Sequence, residues 1–255
     1  ADMSAAFGGL PTVVRPGQTF TGLTLTCTDA AGGGVATAAT CVPTVSAGAI
    51  SAVSCSPASG SNVAAGAAIA CTFSYTAPGA QGGVDEPVTS VTFTGTTGAI
   101  NDSVSSNNVV TAVATVIDAV NDTAAFPGGL NGQTANLAPN DQFPMGSTFS
   151  LVAGGTCAAS SVSGTGTATF NVPASGSCTV NYQVCAPAPA AATCDTATLT
   201  VTAIVADMSA AFSGMPSAVR PGQTFTGLTL TCTDAAGGGV ATAATCVPTV
   251  SAGAI

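Results

Sequence analysis

Apolar and polar residues alternate with a period of two along the first half of the chain, and Gly, Pro, Asn and Asp gather between the alternating runs. A period of two sends successive side chains to opposite faces of a strand, and the interrupting residues are those that turns require. The runs predict strands at Thr19–Thr28, Ala36–Val45, Ala49–Ser54, Ala67–Thr76, Glu86–Gly95 and Val109–Ile117. Thr19, Thr21, Thr24, Thr26 and Thr28 supply a polar, uncharged solvent face. About seven short strands in about a hundred residues is the profile of an immunoglobulin-like sandwich.

A second pattern lies over the first. Residues 1–50 return at 206–255 with four differences (Gly8/Ser213, Leu10/Met215, Thr12/Ser217, Val13/Ala218). Near-identity between copies points to a tandem array, in which each unit serves length or coverage. The organisation expected is a first domain at 1–117, a second at 118–205, and the start of another first domain at 206–255. We read the chain as a stretch of a longer array; residues 206–255 alone hold too few strands to bury a core.

Composition narrows the function. Charged residues are 5% of the chain, against about 25% in ordinary soluble domains. Hydroxyls take over the wetting of the surface, and they suit glycosylation or lateral packing at little desolvation cost. With net charge −9, no Lys, and Arg15 and Arg220 as one site in two copies, nothing is available for a nucleic-acid backbone. No apolar run is long enough to span a membrane. His is absent, so neither a Ser nor a Cys nucleophile has an imidazole base, and the adjacent acids Asp85 and Glu86 would diverge on a strand. We expect no enzyme here and no cofactor beyond the calcium considered below.

Eight cysteines fall in one repeat, four in each half, and no Cys-x-x-Cys pair suggests zinc. Disulfides in an extracellular, oxidising setting are expected.

The first half carries PGQTFTGLTLTCTD (Pro16–Asp29), Gly66 within VAAGAAIACTFSYTA, and NDSVSSNNVVTAVATV (Asn101–Val116). It resembles the Ig-like "conserved repeat" domain of large bacterial surface proteins. The second half opens with AVNDTAAFPGG, has an Asn-Asp pair after Leu137, and closes with CTVNYQVCAPAPAAATCDTATLTVTAIV. It resembles the cadherin-like bacterial Ig domain. Both resemblances imply all-β, disulfide-stapled sandwiches in tandem on a cell surface.

In that closing segment Cys185 and Cys194 flank a Pro and Ala loop between two strands, a natural place for a cross-hairpin bridge. Cys157 then pairs with Cys178 by elimination. In the first half three connectivities are open. Local pairing, Cys27 with Cys41 and Cys55 with Cys71, would leave the second copy a complete Cys232–Cys246 bridge. The rival scheme, Cys27 with Cys71 and Cys41 with Cys55, draws on the likeness of CTFSY to CTVNY.

The cadherin-like resemblance also implies a calcium site at the domain junction, from Asp118, Asn121 and Asp122, with Asp102 upstream; turn-capping is the competing role for these side chains. Asn101 and Asn121 open Asn-x-Ser/Thr triplets that fit N-glycosylation.

The function expected is an extracellular structural repeat forming a fibre, stalk or sheath on a bacterial surface, with neighbouring repeats and other copies of itself as partners. Strand edges without Lys to guard them are open to pairing with a neighbour. The alternative is a repeat spacer of a large adhesin presenting a distal binding domain, and a third reading places a catalytic domain elsewhere in a longer chain.

Overall fold

A computed structural model describes residues 1–234 and 244–251 of the 255-residue chain. It shows two immunoglobulin-like β-sandwiches in series, followed by a further pair of strands. The first sandwich contains β1 (Met3–Gly8), β2 (Val13–Val14), β3 (Thr19–Asp29), β4 (Ala36–Val45), β5 (Ala49–Ser56), β6 (Ser61–Val63), β7 (Ala68–Thr76), β8 (Ser90–Gly98) and β9 (Val109–Val116). One sheet has the order β1-β3-β7-β5 and the other β2-β9-β8-β4-β6. Short β2 crosses over to lie parallel to β9, while the other pairings are antiparallel.

The second sandwich repeats the plan with β10 (Asp122–Pro127), β11 (Gln133–Asn136), β12 (Thr148–Leu151), β13 (Ala158–Val162), β14 (Thr167–Asn171), β15 (Ser177–Cys185) and β16 (Cys194–Ile204). Its sheets run β10-β16-β15-β12 and β11-β14-β13, with β10 parallel to β16. In the returning copy β17 (Met208–Ser213) pairs with β18 (Thr229–Asp234); residues 235–243 and 252–255 of that expected third domain lie outside the described residues.

Alternation decides which face each strand buries. On β7 Ile69, Cys71, Phe73 and Tyr75 point inward while Thr72, Ser74 and Thr76 line the outside. On β15 Cys178, Val180, Tyr182 and Val184 do the same. The first core is built round Tyr75 and Phe93, edge to face at 4.8 Å, with Phe7 against Phe93 and Phe73. Gly95 of β8 is required there, because a side chain would strike Leu25, Val110 and Phe7. Phe149 lies edge to face with Phe143 at 5.1 Å and stacks on Tyr182 in the second core.

Each sandwich has one disulfide between its sheets and one across neighbouring strands. Cys27–Cys41 joins β3 to β4, and Cys157–Cys178 ties the approach to β13 to β15. Cys55–Cys71 and Cys185–Cys194 link directly opposed residues. Cys232–Cys246 repeats the first bridge in the returning copy.

Some boundaries move. The strand expected from Glu86 begins at Ser90, because Pro87 has no N–H and the Glu86 N–H is taken by the Asp118 carboxylate. Three register shifts on the other strands enclose an alanine with positive φ: Ala38 in β4, Ala52 in β5 and Ala159 in β13. These are β-bulges, whose extra residue sharpens the local twist.

Replacing Cys27 and Cys41 together by Ala should lower the unfolding free energy of the first sandwich by about 2–4 kcal/mol through loop entropy, with a further loss from the void between the sheets. Urea unfolding of the variant and parent chains measures it. A difference below experimental error would mean that the bridge adds nothing to a core already closed.

Candidate functional site

The chain passes from the first sandwich to the second without a free linker. Val116 ends β9, and Ile117 N–H donates to Val14 O at 2.8 Å while its side chain joins the core of the second sandwich. Asp118 and Gln142 exchange both backbone hydrogen bonds, at 2.7 and 2.8 Å. The Gln142 side chain reaches back across the seam, donating from Nε2 to Val116 O at 3.1 Å and Val88 O at 3.2 Å. On the other side Asn121 N–H donates to Gly83 O at 3.1 Å. Gly83 has φ +80°, and any side chain on it would overlap the Asn121 amide.

Acidic groups crowd this seam. Asp118 and Asp195 are each 1% exposed. Asp118 Oδ2 accepts from Glu86 N–H at 2.7 Å, and Asp195 Oδ2 accepts from Ala119 N–H at 3.0 Å. The remaining oxygens, Asp118 Oδ1 and Asp195 Oδ1, are buried and receive no donor, although the two carboxyls are close enough to hydrogen-bond once one of them carries a proton. Burial pushes Asp118 up to about 6; the bond from Glu86 N–H opposes that rise and the Asp195 and Asp85 carboxylates add to it.

The second cluster surrounds the buried ring of Tyr182. Its hydroxyl is 2.8 Å from Val120 O, 2.9 Å from Asp122 Oδ2 and 3.1 Å from Asp141 Oδ1. Asp141 Oδ1 also accepts from Val120 N–H at 2.7 Å, and its Oδ2 is buried without a donor. Burial raises Asp141 to about 7 against the bonds it receives, with Asp122 and Asp118 contributing. Burial likewise raises Asp122, opposed by hydrogen bonds from Tyr182 and Asn140, and it raises the Tyr182 hydroxyl, reinforced by Asp141 and Asp122.

The residues singled out for calcium sit in this seam but turn different ways. Asp118 faces Glu86 and Asp195, and Asp122 faces Tyr182. Asn121 Oδ1 accepts from Thr198 N–H at 2.8 Å and its Nδ2 donates to Gly82 O. Among the described residues no three Asp, Glu, Cys or His groups gather as a metal centre. Asp102 does not join them: its Oδ1 accepts from Val104 N–H in a loop whose neighbour Ser103 bonds to Ala1 O. That loop belongs to the opposite end of the first sandwich.

Both candidate glycosylation amides are occupied. Asn101 accepts from Thr37 N–H and donates to Val35 O, each at 2.9 Å, and Asn121 is held as just described. Glu86 is buried and Asp85 exposed, so the two adjacent acids stand in different surroundings. Asp195, Asp141 and Tyr182, which complete the seam, lie far along the sequence from Asp118. The Asn-Asp pair after Leu137 and the closing tyrosine were visible as motifs, but nothing in the sequence showed that they meet.

No protein-family model matches the sequence, and no curated protein matches it. Among solved structures, the chain is similar to zebrafish RET cadherin-like domains 1 to 4, at 10% identity and TM-score 0.24, over 79% of this chain and 51% of that one. It is also similar to two endo-fucoidan hydrolases of glycoside hydrolase family 107, at 11% and 12% identity and TM-scores of 0.25 and 0.24. Those matches cover 79% and 80% of this chain and 34% and 29% of the hydrolases. The chain therefore spans about half of the first relative and about a third of the others. At such scores the likeness carries no argument about activity.

Gly82 and Gly83 give a paired test of the seam. Both have positive φ, so alanine at either position carries backbone strain of about 1–2 kcal/mol. Only at Gly83 does the added carbon displace Asn121; nothing lies within 4 Å of one at Gly82. The Gly83→Ala chain should melt several degrees below the Gly82→Ala chain, by calorimetry at acidic pH. Equal melting temperatures would show that the Asn121 contact does not hold the seam.

Proposed function

We propose that this chain is a stretch of an extracellular structural repeat protein, whose alternating sandwiches build a fibre, stalk or sheath on a bacterial cell surface. The observation that carries the reading is the return of the first fifty residues, which repeats structural detail as well as sequence. Met208–Ser213 pairs with Thr229–Asp234 in the same register as Met3–Gly8 with Thr24–Asp29. Asp207 N–H donates to Asp234 Oδ1 at 3.1 Å as Asp2 N–H does to Asp29 Oδ1 at 2.9 Å. Arg220 N–H bonds Gln223 Oε1 at the 3.1 Å that separates Arg15 N from Gln18 Oε1.

Other features support the same reading. Five disulfides fit an extracellular domain in an oxidising setting. The Asp118–Asp195 carboxyls are sealed from solvent. Repetition sets reach, and a seam built from backbone and side-chain bonds on both sides limits bending between sandwiches. Under load, each bridge keeps the residues it encloses from extending.

A filament subunit and the spacer of an adhesin differ in how copies associate. Electron microscopy of the native polymer should show regular end-to-end or lateral contacts between chains. Isolated single threads carrying a distinct terminal domain would overturn the filament reading in favour of the spacer.

A further inference from the structure

Residues 1–50 and 206–255 differ at four positions, and all four fall within residues 8–13; residues 1–7 and 14–50 return unchanged. The buried positions of β1, β3 and β4 and their threonine faces are therefore constant, and one short segment is not. The structure places that segment against the second sandwich. Leu10, Thr12 and Val13 line one wall of a cleft of about 350 Å³ between the sandwiches, and Pro189, Ala190 and Thr193 line the other.

Alternation and main-chain bonds leave this segment free to vary. On β2, Val14 enters the first core and Val13 the second, where it is 7% exposed. Thr115 N–H donates to Thr12 O at 3.0 Å and Ile117 N–H to Val14 O at 2.8 Å, so the side chains facing the neighbour can change without undoing the pairing. The opposite wall is a closed loop, pinned by Cys185–Cys194, by Ala186 N–H to Thr193 O at 3.0 Å and by Thr193 N–H to Ala190 O at 2.8 Å. The returning copy has Met215, Ser217 and Ala218 in place of Leu10, Thr12 and Val13. In the same seat, alanine would take two methyl groups from the second core, serine would take one from the cleft, and methionine would replace a branched side chain by a flexible one. The fourth difference, Gly8/Ser213, lies on the preceding strand, where the bond from the Thr24 hydroxyl to Gly8 O at 3.2 Å gives way to a Ser213–Thr229 hydroxyl pair at 2.6 Å.

We propose that Leu10, Thr12 and Val13 form a docking seat that selects which sandwich lies against the unit, shaped in the first copy to hold the sandwich at 118–205 and in the returning copy to refuse it. Discrimination is a difference of contacts. The closed loop at 186–193 and the second core meet a filled seat in one copy, and would meet a depleted and pliable one in the other. Because the sandwiches are covalently joined, docking is an intramolecular equilibrium, and the burial of a few methyl groups is enough to move it. Near-identical units can then be laid in a fixed order, since the copies carry their differences at the surface that reads the neighbour. The selection acts within a single chain and holds for a filament subunit and a spacer alike.

The test uses the 255-residue chain at high dilution, with the returning copy's residues placed in the first copy: Leu10→Met, Thr12→Ser and Val13→Ala together. Amide hydrogen exchange followed by NMR should quicken about tenfold or more at Ile117, Asp118 and Gln142, whose N–H groups close the seam. The amides of Phe93 and Val180, fully buried within the two sandwiches, should keep the parent rates. Unchanged exchange at the seam would overturn the proposal and leave the four differences as drift. A uniform quickening at all five amides would overturn it too, because Val13 would then belong to the fold of the second sandwich and not to a seat. Should the triple variant fail to fold, the Val13→Ala chain decides the matter at the same amides.

Discussion

Burying carboxylates in a chain with two arginines and neither lysine nor histidine leaves backbone N–H groups and protons to balance the charge. Asp29, Asp118 and Asp195 are at most 1% exposed, and each takes a backbone N–H from a distant part of the chain. Charge-assisted bonds of this kind contribute about 1.5–3 kcal/mol and are strongest out of water. Each one therefore acts as a rivet between segments: Asp29 fixes the start of the repeat, Asp118 draws the loop before β8 onto the connection, and Asp195 pins β16 beneath it.

The cores explain why covalent links accompany the rivets. Alanine, valine and cysteine make up much of the buried set, and a handful of aromatic rings carry most of the large side chains. Small side chains bury little area each, so the apolar contribution per residue is modest. A bridge between sheets, closing 14 residues in the first sandwich and 21 in the second, removes unfolded-state freedom where burial is thin.

Strand content was legible because a half-buried sheet writes its period directly into the sequence, as in Leu23, Leu25 and Cys27 against Thr24, Thr26 and Thr28. Short strands were not. Val13–Val14 has too few residues to show a period, and Met3–Gly8 is defined by its partner β3 rather than by its own alternation. The seam was legible only in part. Asp118, Asn121 and Asp122 stand out as neighbours, but sequence adjacency says nothing of direction, and successive residues here turn toward Asp195, Thr198 and Tyr182. Partners brought together by the closure of a sandwich leave no local signal.

The three bulged alanines have a consequence for how such arrays could touch. Ala52 and Ala159 interrupt the outermost strands β5 and β13, and Ala38 interrupts the pairing with the short edge strand β6. At β5 and β13 an edge broken in this way presents only a few aligned backbone groups to a visiting strand, so the bulge does there the guarding that lysine does in other sheets. The broad surfaces remain, and on β8 and β16 they are ladders of threonine without charge. Contacts made there would exchange hydroxyl–water bonds for hydroxyl–hydroxyl bonds and release no counterions. Such adhesion would draw on no ion pairs for salt to screen, while the net charge of −9 on each copy would set neighbours apart most strongly in dilute water.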